Sequence, residues 1–353
     1  MTGTILREHF PKLFALATFV PFIAHTQRLP VKVEIDSAHY MANVTVDGKP
    51  FTSLLFPRTL EKPVLYPIYA PNGQLVTRGF PLDPRPGEPT DHPHHVGLWF
   101  NYENVNGLDF WNNSYAIPAE RKKQYGWIHI DTVQSQEAGK NVGGIRYIAN
   151  WTDQQGTILL KEETRFIFKA ANGIRIIDRI TTLTAETDVH MPDAKDGLLG
   201  LRVTKELQIP SNTPGEFIDD KGNITKVAAG NTPDINGTYV TSEGKKGDSA
   251  WGTRGNWCIL YGKKGGDMIS IAIIDHPSNP GYPTYWHARG YGLFAANPLG
   301  QKIFSKGAET LDFHLDKGQS VTFRYRIVIA ADPHYRLITG QIRQFADDFA
   351  RLK

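Results

Sequence analysis

Ile158-Leu-Leu-Lys-Glu-Glu-Thr-Arg-Phe-Ile-Phe-Lys169, then Asn172-Gly173, then Ile174-Arg-Ile-Ile-Asp-Arg-Ile-Thr-Thr-Leu183 is the stretch that decides the fold. Two long β-rich runs flank an Asn-Gly pair. A type I′ turn needs positive φ at both central positions, which Asn and Gly tolerate best. The pair therefore predicts an antiparallel hairpin. A two-residue turn places Arg165 opposite Ile180 and diagonal to Asp178, within reach of a cross-strand ion pair. Glu163 falls opposite Thr182 on the same face and is a candidate catalytic carboxylate.

The pattern outside this hairpin is similar. Val31–Ile35 alternates, and Tyr40–Val46 runs into the turn pair Asp47-Gly48. Further β-rich runs are Trp127–Val133, Gly143–Trp151, Gly197–Val203, Trp257–Tyr261, Ile269–Ile274 and Ser320–Ile329. So many strands without alternating helices predict an all-β fold, a large antiparallel β-sandwich. The segments Pro81–Pro93 and Gly230–Gly252 read as irregular loops, and neither resembles a linker between complete cores. One domain over 30–353 is expected. Near its end Asp332 can cap a helix and Pro333 suits the first position. Ile338, Ile342, Phe345, Phe349 and Leu352 then form one apolar stripe, which predicts a C-terminal α-helix over 333–352.

Composition is that of a folded globular chain, with 40% hydrophobic and 21% charged residues. The 39 basic and 36 acidic side chains nearly balance, and no Lys/Arg run forms a basic patch, so nucleic acid is not an expected partner. The single Cys258 sits in an apolar run and reads as a small buried hydrophobe. At the N-terminus Arg7, His9 and Lys12 precede an apolar stretch from Leu13 to Ala24 that is too short to span a bilayer. A signal peptide over 1–24 is expected, and with it a periplasmic or secreted protein without stable membrane insertion after its removal.

Two clusters carry chemistry. The first is Asp91-His92-Pro93-His94-His95, where a Pro-rich loop enters an apolar strand. Imidazoles act as acid, base or metal ligand near neutral pH. A strand beginning at His94 would send His94 and His95 to opposite faces, leaving at most one in a cleft. The second cluster is Tyr285-Trp286-His287-Ala288-Arg289-Gly290-Tyr291. In an extended chain His287, Arg289 and Tyr291 share one face, a titratable ring, a cation and a phenol in a row. That face suits a polyhydroxylated or carboxylated ligand, with Asn297 at its rim. Lys195 and Asp196 stand at the entry to another strand, in which Gly200 suggests a bulge. Histidines 92, 94, 276 and 287 could converge on a divalent metal, although spacing alone does not show it. No phosphate loop, dinucleotide fingerprint, nucleophile elbow or paired zinc motif occurs.

Together these motifs resemble a bacterial family labelled "methane oxygenase PmoA". The matching pieces are Asp91-His-Pro-His-His-Val-Gly-Leu-Trp99-Phe, Val105-Asn-Gly-Leu-Asp-Phe-Trp111, Ile177-Asp178 with Leu183-Thr-Ala185, Lys195-Asp-Gly-Leu-Leu-Gly-Leu-Arg-Val203, Asp275-His-Pro277, and Pro283-Thr-Tyr-Trp-His-Ala-Arg-Gly-Tyr-Gly-Leu-Phe294 with Asn297-Pro298. Where the family often has Lys-Glu-Gly, this chain has Lys195-Asp196-Gly197. The resemblance implies a galactose-mutarotase-like sandwich and a link to carbohydrate catabolism.

The leading functional expectation is a carbohydrate-active enzyme using general acid–base chemistry, of epimerase, lyase or hydrolase type. His287 or His94 would be the acid and Asp196 or Glu163 the base. Arg289 and Lys195 would stabilise negative charge, and Trp99, Trp286 and Tyr291 would stack on a small-molecule sugar. No cofactor is required by this reading, although a divalent metal is compatible with it. A non-catalytic glycan-binding protein would use the same aromatics. A metal-dependent oxidoreductase is what the family label implies.

Overall fold

The computed structural model describes residues 28–137, 140–219, 221–334 and 336–352. The signal-peptide expectation over 1–24 lies outside them. Two eight-stranded antiparallel sheets dominate. The first runs, in spatial order, Val31–Asp36, Met41–Val46, Lys49–Leu55, Val64–Ile68, Leu98–Tyr102, Gly197–Arg202, Leu293–Asn297 and Tyr285–Arg289. The second runs Thr238–Thr241, Trp257–Lys264, Asp267–Asp275, Ser320–Asp332, Ile174–Ala185, Ile158–Ala171, Gly143–Thr152 and Trp127–Glu137. The sheets meet face to face through large rings: Phe51 lies edge-on to Phe168, and Phe100 contacts both Trp151 and Phe323. This is the antiparallel sandwich expected from the strand pattern.

The deciding hairpin forms in the expected register, with Arg165 opposite Ile180 and Glu163 opposite Thr182. Its inward residues include Glu162, whose carboxylate accepts from Tyr147 Oη (2.6 Å), Trp151 Nε1 (2.7 Å), Thr164 Oγ1 (2.6 Å) and Arg179 (2.7 Å). Four donors, one of them a guanidinium, offset the cost of burying this side chain. The Arg165–Asp178 pair does not form. Arg326 lies directly opposite Asp178 on the neighbouring strand and takes both carboxylate oxygens, at 2.6 and 2.8 Å. A directly opposed guanidinium outcompetes a diagonal one.

Three other expectations change. The terminal helix spans Thr339–Phe349, not 333–352. Asp332 ends a strand instead, and its side chain accepts from His334 N in the turn that follows. The helix still buries Ile342, Phe345 and Phe349, against Trp257, Ile274 and Val328. The Gly230–Gly252 loop contains the edge strand Thr238–Thr241. Gly200 makes no bulge, since its strand keeps unbroken register with both neighbours. Its missing side chain makes room for two rings, because a β-carbon there would stand 2.5 Å from Trp99 and 2.8 Å from Trp111. Cys258 is fully buried, and burial pushes its thiol well above the usual range, in keeping with a packing role.

A short hairpin, Gly215–Ile218 paired with Ile224–Val227, belongs to neither large sheet. Its tip is tied down by Arg121, which donates to Asn223 Oδ1 and to Lys221 O. This flap roofs the cleft described next.

Candidate functional site

Successive residues of Tyr285–Arg289 point to opposite faces of the first sheet. Trp286 and Ala288 join the core between the sheets. His287 and Arg289 point the other way, into a cleft of about 250 Å³ that Tyr291, Lys195, Asp196 and all three loop histidines also line. His287 and Arg289 thus share the expected strand face, and Tyr291 joins them in the cleft from the turn that follows the strand.

The three histidines converge because they occupy a turn. The strand starts only at Leu98, and His95 N bonds back to His92 O at 3.0 Å. His92 has φ of 43°, and its ring stacks between Tyr291 (4.8 Å) and His95 (4.7 Å). His95 in turn lies on Trp99 at 5.2 Å. His94 meets His95 edge-on at 4.3 Å. A strand beginning at His94, which would have sent His94 and His95 to opposite faces, does not form.

Two buried arginines hold this turn. Arg78 donates to the carbonyls of Asp91 (2.6 Å), His92 (2.9 Å) and His95 (3.1 Å). Arg202 donates to both oxygens of Asp91, at 2.9 and 2.7 Å, and to His95 Nδ1 at 3.2 Å. Burial alone would raise the Asp91 carboxyl, but Arg202, His92 and Arg78 outweigh it and hold it well below the usual range. Burial pushes His92 down to about 4, despite its 2.5 Å bond to Asp91. Burial likewise holds His94 and His95 well below ordinary imidazoles, so the cluster is neutral near pH 7.

Across the cleft Arg289 Nε donates to His287 Nε2 at 3.2 Å. His287 Nδ1 lies 3.3 Å from Asp196 Oδ1, but out of line for a hydrogen bond, so this buried nitrogen has no aligned partner among the described residues. Burial, with Arg289 and Lys195 adding to it, keeps this imidazole well below its ordinary value. Burial raises the Asp196 carboxyl, against the pull of Lys195 (3.5 Å) and Arg289. Lys195 Nζ also donates to Ile218 O of the flap at 3.2 Å. Arg289 packs over Trp251 (4.4 Å) and Phe217 (5.4 Å), and no carboxylate pairs with it among the described residues.

Five candidates do not line the cleft. Glu163 is on the outer face of the second sheet, exposed and paired with Arg146 at 2.8 Å. Trp99 is completely buried beneath His95, and Trp286 is completely buried between the sheets. Asn297 is buried and acts from behind, its amide donating to Ala194 O and Lys195 O, both at 2.9 Å. His276 packs edge-on against Phe349 of the terminal helix, so the four metal-candidate histidines do not meet. Among the described residues the ligand atoms that do converge belong to His190, Asp312 and His314, an exposed group on a different strand pair.

The sequence reading missed Phe217, Arg78 and Lys62. Phe217 was accessible, because Lys221-Gly222-Asn223 between Phe217-Ile218 and Ile224-Thr225 is a hairpin turn signal. Arg78 and Lys62 carry no local signal. Lys62 is buried behind His94 in a neighbouring pocket and donates to Trp111 O at 3.3 Å. Burial lowers its ammonium to about 8.

Fold and site together define a β-sandwich protein with a polar, histidine- and arginine-lined cleft on the outer face of one sheet. The chain belongs to a family of unknown function, DUF6807, whose pattern matches residues 41–337. The methane-oxygenase label suggested by the motifs is not part of that description. No curated protein matches the chain. Among solved structures it is similar to the galactosidase domain of an α-galactosidase–sucrose kinase, with 9% identity and a TM-score of 0.39 over 86% of this chain and 42% of that one. An α-galactosidase from Geobacillus stearothermophilus gives 9% identity and a TM-score of 0.38, over 86% and 41% of the two chains. A galactose mutarotase-like protein from Clostridium acetobutylicum gives 11% identity and a TM-score of 0.35, over 86% and 98%. The chain thus spans about two fifths of the length of the two galactosidase chains. Among the described residues no helix is long and apolar enough to cross a membrane.

Proposed function

We propose that this is an exported carbohydrate-active enzyme whose cleft performs general acid–base chemistry on a sugar or glycoside. The observation that carries the reading is the His287 ring set between Arg289 and Asp196, facing the histidine turn across one cleft. Useful acid–base pairs arise where environments push two titratable groups apart. Here burial does so in an unexpected sense. The imidazoles stay neutral, and His287 can accept a proton at Nε2 once Arg289 turns from it to the substrate oxygen, while the Asp196 carboxyl holds its proton to higher pH than a free aspartate and suits donation. The assignment is the reverse of the histidine acid and aspartate base expected from sequence. Arg289 and Lys195 stabilise charge developing on a sugar oxygen. Tyr291 and Phe217 supply the apolar surfaces that Trp99 and Trp286 cannot. Epimerisation, elimination and hydrolysis share these needs.

The test is a thermal-shift screen against mono- and disaccharides, keto-sugars, uronic acids and divalent metals, followed by turnover assays on the hits. A ligand of the native state raises the melting temperature by mass action. A sugar hit is expected, with turnover falling about 10²- to 10⁴-fold in His287→Ala and Asp196→Asn. Sugar binding without turnover would make the protein a glycan-binding module. A metal hit with no sugar hit would overturn the proposal in favour of an oxidoreductase.

A further inference from the structure

The cleft has a neighbour beneath the root of the flap. A second pocket of about 200 Å³ lies there and shares Phe217, Arg289 and Tyr291 with the first. Two further polar groups stand in its wall, Gln208 and Asp248. Gln208 is only 7% exposed, yet its Nε2 makes no hydrogen bond among the described residues. Buried amide donors are nearly always satisfied, so an unpaired one bordering a pocket marks a place where a ligand acceptor belongs. The Asp248 carboxylate lies over Gly290, 2.9 Å from where a β-carbon would stand. It is exposed, and its charge acts on the Arg289 guanidinium.

The backbone is arranged to leave room for these groups. Gly290 has no side chain to displace Asp248, and Gly292, at φ of 94°, has none to displace Gln208, whose Cγ would lie 3.1 Å from a β-carbon. The pocket therefore offers an amide donor, a carboxylate acceptor and the guanidinium of Arg289, beside the rings of Tyr291 and Phe217. Vicinal hydroxyls on a ring with one apolar face match that set. An anion is opposed by Asp248, and an apolar ligand would leave Gln208 unsatisfied.

We infer that this pocket is a second sugar subsite and that the ligand has at least two rings, a disaccharide or longer glycoside. The inference rests on the proposed reading of the first cleft as a sugar site. Arg289 and Tyr291 border both pockets and so set the spacing of the two rings. Phe217 divides them, edge-on to Tyr291 at 4.7 Å. It rides on a two-stranded hairpin outside both large sheets.

Isothermal titration of the full chain with glucose, galactose, maltose, cellobiose and lactose tests this, using wild type, Gln208→Ala and Asp248→Asn. Asp248 is exposed, so its variant should fold even if the Gln208 variant does not. At least one disaccharide is expected to bind ten-fold or more tightly than its constituent monosaccharides. Both variants should erase that advantage and leave monosaccharide affinity unchanged. Monosaccharide binding with no disaccharide gain, or a gain that both variants keep, overturns the second subsite and leaves the first cleft's reading intact. No binding by any of the five sugars overturns the inference, and only the wider screen's failure removes the reading beneath it.

Discussion

Arg289 Nε donates to His287 Nε2 across 3.2 Å, and this bond decides which ring nitrogen carries the proton. An arginine nitrogen can only donate, so Nε2 accepts and the neutral ring holds its proton on Nδ1, toward Asp196. The same cation also disfavours the imidazolium.

Replacing Arg289 with Gln removes that cation, so the His287 pKa should rise. The sign is fixed by electrostatics: a neighbouring positive charge lowers an imidazole pKa, and its loss relieves the depression. NMR titration of the His287 ring in wild type and Arg289→Gln checks this directly, without a substrate. An unchanged midpoint would mean that burial alone sets it. In a turnover assay the acid limb of the pH profile should move to higher pH in the variant.

His92 makes stability depend on pH. Its pKa falls from 6.5 to about 4 on folding, so between those values the unfolded chain binds more protons than the native one. The contribution is intact above 6.5 and is lost as pH falls toward 4, by about 3 kcal/mol in full. Asp275, raised by burial to about 7, acts in the opposite direction, gaining stability as pH falls. The measurement is therefore a difference. Urea unfolding at pH 7.5 and 4.5 should show His92→Gln losing less stability on acidification than wild type. Equal losses would mean that His92 is protonated in the native state without penalty.

Much of the fold was legible from hydrophobic pattern and turn chemistry. Asn172-Gly173 gave the central hairpin in its observed register, although only Gly173 takes positive φ, so the turn is not the type I′ that the pair suggests. The end of the chain was misread because Asp332 and Pro333 look like a helix start, while the preceding strand extends through Asp332 to pair with Met268. Sheet pairing overrode the local capping signal. The cleft was half legible. His287 and Arg289 follow from strand alternation, whereas Tyr291 stands in the turn after the strand and reaches the same cleft. Trp99 and Trp286 misled because an aromatic beside a polar motif fits a stacking wall and a buried support equally well. Arg78 and Lys62 were invisible, since nothing local distinguishes a buried cation from the solvated one that its neighbours suggest.

Gly200 offers a test of packing beneath the site. A β-carbon there would meet Trp99 at 2.5 Å and Trp111 at 2.8 Å, and both rings are completely buried. Gly200→Ala must move one of them, at a cost of about 3 kcal/mol. Because Trp99 supports His95, sugar affinity should fall in the variant even where it is folded. Chemical denaturation and a tryptophan fluorescence spectrum check the two effects. A stable variant with native affinity would show that the rings have room to shift.

Two carboxylates on the central hairpin should behave in opposite ways. Asp178 is completely buried, and its oxygens are taken by Arg326 at 2.6 and 2.8 Å and by Lys169 at 3.0 Å. Arg326 also donates to Asp348 and to Phe345 O, tying the terminal helix to the sheet. Asp178→Ala leaves a buried guanidinium with only the helix to bind and should cost about 3–5 kcal/mol. Glu163 faces solvent and pairs with a partly exposed Arg146, so Glu163→Gln should cost less than about 1 kcal/mol and leave sugar binding untouched. Urea melts of the two variants distinguish the roles. A loss of sugar binding or turnover in folded Glu163→Gln would return Glu163 to the site from which its position on the outer sheet face removes it.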